Sequence, residues 1–170
     1  RRFFSDPKYY VCQVLREKLW RWDRFPDDQM PISTDVPAWL GHYPEYTFVG
    51  LRVEFDARGV PIIGTDHAIS SDPNTDLLKP VDFHTSGSMP RALRWHEDIT
   101  EIVGRRGRVS FQMSWWRGCL DLAIQLRGYG RFVADVSERP SFVHELLGFL
   151  TDQRCRWHEA FCGHFGQALG

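Results

Sequence analysis

The 170-residue chain lacks an excess of charge of either sign: 21 basic residues against 22 acidic ones leave a formal charge of -1. That balance indicates no polybasic surface for nucleic acid or anionic lipid. No apolar run approaches the ~18 to 20 residues of a membrane-crossing helix, and the Arg1-Arg2 start is not followed by the apolar stretch of a secretory signal. Glycines form neither a dinucleotide nor a phosphate-loop fingerprint. Neither Gly-x-Ser-x-Gly nor His-Glu-x-x-His occurs, so nucleotide chemistry, the serine-hydrolase elbow and the zinc-protease helix have no support. Cysteine is sparse: Cys12, Cys119, Cys155 and Cys162 fall at irregular spacing. They read as free thiols in a reducing, cytoplasmic setting. There is no internal repeat and no low-complexity tract.

What the sequence does have is aromatic mass, 14% of residues, with seven Trp and 12 Phe. A packed core and a large flat apolar pocket both explain it, and the core is the commoner cause. The length supports one domain with a real core, yet falls well below the ~250 residues typical of a complete (β/α)₈ barrel. The chain opens at Arg1 without an initiator Met and ends at Gly170 just after a long helical pattern, so a fragment is expected.

Asp6 and Pro7 read as the N-cap and first position of a helix. Its apolar face is Tyr10, Val11, Val14, Leu15, Leu19 and Trp22, and Pro26 ends it. A brief strand is expected from Met30 to Val36, ending near Asp35, followed by a loop through Trp39, His42, Tyr43 and Tyr46. Short apolar runs from Phe48 to Phe55 and from Val60 to Ile63 flank Asp56 to Gly59, a hairpin signal. The polar stretch from Thr65 to Pro80 reads as loop with one turn at Asp76 to Leu78. A helix from Ser88 to Val103 follows, then a strand from Val109 to Met113, a helix around Leu120, Ala123, Ile124 and Leu126, and a shorter segment from Phe132 to Val136. The last and clearest helix starts at Pro140 and buries Val143, Leu146, Leu147, Leu150, Trp157 and Phe161. Strands alternating with helices predict parallel βα units, hence an α/β fold read as a partial TIM (β/α)₈ barrel with a small β-hairpin insertion. Residues 1–170 are taken as a single incomplete domain, with an amino-terminal helix in 1–29 and early βα units in 30–170.

In such folds chemistry gathers where strands end. Asp35, His42 and Tyr43 supply a carboxylate, an imidazole and a phenol, the types needed for proton transfer or for holding a polar substrate. The plainer reading makes Asp35 a turn cap before Pro37 and the others surface residues. After the strand at Val109 come Gln112, Ser114, Trp116 and Arg117; with Trp115 they would suit a flat anionic ligand by stacking and charge-assisted hydrogen bonding. They would equally plug a barrel end. Asp82, His84, Ser86 and Ser88 precede a helix, where an anion could dock, although capping is the commoner use. Cys155, His158 and Cys162 share one helix face and are zinc-type ligands, but thiols beside an apolar stripe are usually packing residues and no fourth ligand is evident.

At this point the residues carry a family resemblance. The run Arg117-Gly118-Cys119-Leu120-Asp121-Leu122-Ala123, then Leu126-Arg127-Gly128-Tyr129, Phe132-Val133-Ala134-Asp135 and Glu138-Arg139-Pro140-Ser141-Phe142-Val143-His144-Glu145-Leu146-Leu147 closely resembles the uroporphyrinogen decarboxylase superfamily. Upstream, Leu77-Leu78-Lys79-Pro80-Val81-Asp82-Phe83 and Ser86-Gly87-Ser88-Met89-Pro90 resemble it too. The likeness runs from about Asp76 onward and is loose before it. It implies a TIM barrel acting on tetrapyrroles or corrinoid proteins: a cofactor-free decarboxylase of haem biosynthesis, or a zinc-dependent methyltransferase working with a corrinoid. The decarboxylase's arginine-rich amino-terminal motif is absent around Val36-Pro37-Ala38-Trp39, which argues against uroporphyrinogen itself. The methyltransferase's His and Cys zinc ligands belong to the later half of the barrel and are expected beyond Gly170, so this piece is expected to hold no metal and to be inactive alone.

The expectation is therefore a uroporphyrinogen decarboxylase-like enzyme, with methyl transfer or porphyrinogen decarboxylation as its chemistry. A non-catalytic corrinoid- or porphyrin-binding module is the alternative. Asp35 is the expected catalytic residue; His42, Tyr43, Gln112, Ser114, Trp116 and Arg117 are the expected substrate contacts. A tetrapyrrole or corrinoid protein is the expected partner, nucleic acid and membrane are not, and a homodimer is allowed.

Overall fold

The computed structural model describes residues 2–25, 33–40, 47–55, 61–64, 68–111 and 118–166. They fall into two compact units, Arg1–Leu40 with Arg91–Met113, and Gly41–Pro90 with Ser114–Gly170.

The first unit starts with helix α1 (Pro7–Arg24), whose N-cap Asp6 accepts from the Tyr9 amide. Strands β1 (Asp35–Ala38) and β4 (Arg108–Phe111) pair in parallel, with Asp35 beside Arg108 and Ala38 beside Phe111. A parallel pair cannot be closed by a tight turn, and the chain returns from β1 to β4 through helix α3 (Met89–Val103). Val36 and Ala38 point into a core with Tyr10 and Val11 of α1 and Trp95 and Ile99 of α3. The two-residue period of a strand then puts Asp35 and Pro37 on the opposite face. Tyr10 fixes the end of β1: its hydroxyl donates to the Pro37 carbonyl at 2.6 Å and accepts from the Trp39 amide at 3.3 Å, and burial pushes its pKa up to about 12. At Gly107, just before β4, a Cβ would lie 2.6 Å from the Thr34 carbonyl oxygen, so only glycine lets the two strand entrances approach this closely.

One expectation for this unit needs correction. The strand expected over 30–36 lies at Asp35–Ala38, so Asp35 opens it instead of closing it. The β-branched residues signalled extended backbone, but pairing with β4 and the Tyr10 clamp set the limits, and both are long-range contacts. Residues 30–32 lie outside the described ones. The apolar face of α1 is not buried along its whole length: Leu15, Leu19 and Trp22 are 38%, 59% and 43% exposed.

The second unit holds an antiparallel hairpin, β2 (Val53–Phe55) with β3 (Pro61–Ile63), as the sequence predicts; its turn, 56–60, lies outside the described residues. Phe48 and Val49, expected in the first strand, sit instead in a buried helical turn. The stretch expected to be loop with one turn at Asp76 to Leu78 has that turn as a 3-10 turn, Thr75–Leu77, capped by the Asn74 side chain, and also contains a short helix α2 (Ala68–Ser71). Helices α4 (Cys119–Arg127), α5 (Tyr129–Glu138) and α6 (Pro140–Phe165) pack on one another. The segment Phe132 to Val136 is thus part of a helix. On α6 the expected stripe is buried at Val143, Leu146, Leu150, Trp157 and Phe161, with Leu147 half-buried. Trp157 stacks on Phe161, meets Phe83 edge-on and donates its indole N–H to Met89 Sδ at 3.4 Å.

Gly87 is held at φ +57, and a Cβ there would lie 2.4 Å from the Thr47 carbonyl carbon and oxygen. Backbone strain and collision act together. Gly87→Ala is therefore expected to cost at least about 1–3 kcal/mol, seen as a lower urea midpoint at unchanged m-value.

The described residues form a mixed, mostly helical α/β structure with one parallel pair, one hairpin and no closed barrel among them.

Candidate functional site

The face of β1 and β4 that α1 and α3 leave uncovered carries the acid singled out from sequence. Asp35 Oδ2 accepts from Ser110 Oγ at 3.1 Å, across the strand pair. Asp35 Oδ1 is buried and accepts no hydrogen bond from any described residue. The backbone beneath it is fixed: the Lys18 ammonium, reaching across from α1, donates to the Asp35 carbonyl and, at 3.1 Å each, to the Ser33 carbonyl and hydroxyl. A buried carboxylate oxygen left without any donor would cost about 1–3 kcal/mol or more, so Oδ1 is the acceptor to account for at this site.

Its level matters as much as its face. Asp35 is the first residue of β1, so three residues of strand, roughly 10 Å, separate it from the Ala38 end. In parallel βα folds ligands enter at that carboxyl end. The carboxylate thus belongs to the floor of any site formed there, not to its rim.

The other expected contacts, His42 and Tyr43 after β1 and Gln112, Ser114, Trp116 and Arg117 after β4, lie outside the described residues. Ala38 and Phe111, from which the chain runs on toward each segment, are register partners.

The two remaining polar clusters resolve differently. Asp82 is a turn-former: its Oδ1 accepts from the His84 and Thr85 amides at 3.0 and 2.9 Å and from Thr85 Oγ1 at 2.8 Å, while Ser86 Oγ accepts from its amide. The Thr85 hydroxyl and these amides hold its carboxyl below the usual range, against the smaller upward push of desolvation. At the start of α3 the Thr47 hydroxyl accepts from the Ser88 amide at 2.9 Å and contacts Ser88 Oγ at 2.8 Å. Capping, not anion docking, is what this geometry performs. Cys155 is exposed, and Cys162 and His158 are partly so. Burial, with a smaller effect from Arg154, pulls the His158 imidazole pKa down. Among the described residues no group of three or more His, Cys, Asp or Glu side chains could hold a metal ion.

Sequence reasoning missed Ser110 and Lys18. Ser110 alternates with Val109 and Phe111, which alone would have placed it on the face away from their neighbours, but nothing local signals that it meets Asp35. It also missed what the family-like residues do. Arg127 and Asp135, 4% and 0% exposed, form a buried ion pair at 2.5 Å. Arg127 also donates to the Ile69 and Ser70 carbonyls, Arg131 to Ser70, and Arg139 to Asp135 Oδ1 at 2.7 Å. Much of the motif that carries the resemblance is thus a structural network tying α2, α4, α5 and the start of α6.

Comparison with known proteins adds no relative to this geometry: no family model, no curated protein and no solved structure matches the chain. Also, no helix among the described residues is long and apolar enough to cross a membrane.

Proposed function

We propose that the chain forms early βα units of an α/β-barrel enzyme of the uroporphyrinogen decarboxylase kind, acting on a tetrapyrrole or a corrinoid. The observation that carries this reading is the parallel β1–β4 pair, covered by α1 and α3 on one face and presenting on the other Asp35, whose buried Oδ1 accepts no hydrogen bond from any described residue. A strand, a returning helix and a parallel strand are the repeating unit of a barrel, and the helix-free face of that unit is its interior. Supporting it from the sequence are the runs from Leu77 to Pro90 and from Arg117 to Leu147 that resemble that superfamily.

On this reading Asp35 acts from the pocket floor. Its Oδ2 is held by Ser110, which leaves Oδ1 to accept from a donor N–H or O–H of the bound substrate, or to stabilise positive charge developing there. Trp116 and Arg117 would stack on a flat ring system and pair with its carboxylates, and Gln112, Ser114, His42 and Tyr43 would complete the polar contacts. For methyl transfer, zinc would keep an acceptor thiol deprotonated at neutral pH. The described residues do not offer its ligands, and neither Asp35 nor Ser110 acts through it.

Binding is tested with the intact natural protein by absorbance titration against a carboxylated porphyrin and against cobalamin. Saturable, one-to-one spectral change with one of them is expected; no change with either contradicts the assignment. A binding module would titrate in the same way, yet would show no turnover.

A further inference from the structure

We propose that His84 and His164, in the second compact unit, form a surface site for a single borderline transition-metal ion such as Zn²⁺ or Ni²⁺. The residues are eighty positions apart in sequence, yet their rings lie 5.4 Å apart between centroids, with planes inclined at 57°. A ring nitrogen binds zinc at about 2.0–2.1 Å, which puts each ring centroid roughly 3.2 Å from the ion. With one nitrogen of each ring turned to a common ion, two centroids 5.4 Å apart would subtend an angle of roughly 115° there, close to the tetrahedral value that zinc takes. Imidazole suits zinc and nickel alike.

The two rings are carried on fixed backbone. His84 sits in the turn that Asp82 and Ser86 close, and its neighbour Phe83 is buried against Trp157 and Phe161. His164 lies in the last turn of the 26-residue α6, where the partial negative charge of the helix end favours a cation. It is flanked by Phe83 at 5.8 Å and Phe165 at 4.6 Å. Both histidines are exposed, so the ion has access, and water completes its shell; no third protein donor is in reach among the described residues. Asp82 Oδ1 is occupied by its own turn. A site of two imidazoles and water binds reversibly, unlike a closed structural site of four protein ligands.

The test is isothermal titration of the intact protein with ZnCl₂, repeated on His84→Ala, His164→Ala and, as a control, His144→Ala, which alters another exposed histidine of α6. One-to-one binding is expected, weakened at least about tenfold by either of the first two changes because the second imidazole no longer acts from within the same molecule. The control is expected to leave it unchanged. On the unaltered protein, substoichiometric Ni²⁺ should broaden two imidazole proton signals together. Absence of saturable binding, binding left unchanged by His84→Ala or by His164→Ala, or equal loss in the His144 variant would overturn the proposal.

Discussion

Asp135→Ala is expected to remove about 3–5 kcal/mol of stability, a large share of the 5–15 kcal/mol that holds a typical domain together. The loss comes less from the missing attraction than from what is left behind. Arg127, 4% exposed, would keep its charge inside the second unit, faced by the Ile69 and Ser70 carbonyls and the Phe142 ring, none of them an anion. Arg139 would lose its partner as well, but it is half-exposed and can turn to water. Replacing Arg127 and Asp135 together by apolar residues should cost markedly less than the sum of the single changes, because no buried charge remains. Denaturant unfolding of the singles and the double measures that coupling.

The same pair sets a pH dependence. Burial pushes the Asp135 carboxyl pKa up, but the hydrogen bonds and charges of Arg127 and Arg139 outweigh it and hold the folded value below the ordinary carboxylate one. Its contribution to stability is therefore complete above the unfolded pKa near ~3.9 and is lost as pH falls through the lower, folded value. Asp135→Asn should be less stable at neutral pH and should lose part of the decline in stability below about pH 4. An acid limb identical to that of the parent protein would mean that the carboxylate is not ionised in the fold.

Asp35→Asn is expected to lower turnover by about 10²–10⁴-fold while leaving ligand affinity within a few-fold, the usual size of a lost acid–base or charge-stabilising group. The amide keeps the shape and can still accept from Ser110, so the loss isolates the negative charge. If Asp35 only ties β1 to β4, the same change would leave turnover per folded molecule intact, whatever it does to the melting temperature. Both quantities are read on one preparation, which separates the two roles.

How far the sequence reaches depends on the range of the interactions. Local signals served well: the Asp6 cap with Pro7, the stripe of α6 and the hairpin around 56–60 all act within a few residues of where they appear. The parallel sense of β1 and β4 was legible too, because a helix between two strands permits little else. The limits of β1 were not, since they are set by register with β4 and by Tyr10 from α1. For the same reason the sequence pattern puts Asp35 at the wrong end of its strand. The exposed half of α1 shows the converse: helical periodicity says which side is apolar, not what will cover it. The Arg127–Asp135 pair stands out in sequence for its resemblance to a family, yet its partners on α2 lie about sixty residues away, and only the fold reveals that the motif braces the structure. A motif that braces the fold speaks to architecture more than to activity.

The most direct test of the proposed activity is anaerobic incubation of the intact natural protein with a carboxylated porphyrinogen and, separately, with a methylated corrinoid and a thiol, resolving the products chromatographically. Loss of carboxylate from the first, or of methyl from the second, with either reaction suppressed in Asp35→Asn, is the predicted result. No conversion of either compound by protein that binds one of them would leave a carrier, not an enzyme, and would contradict it.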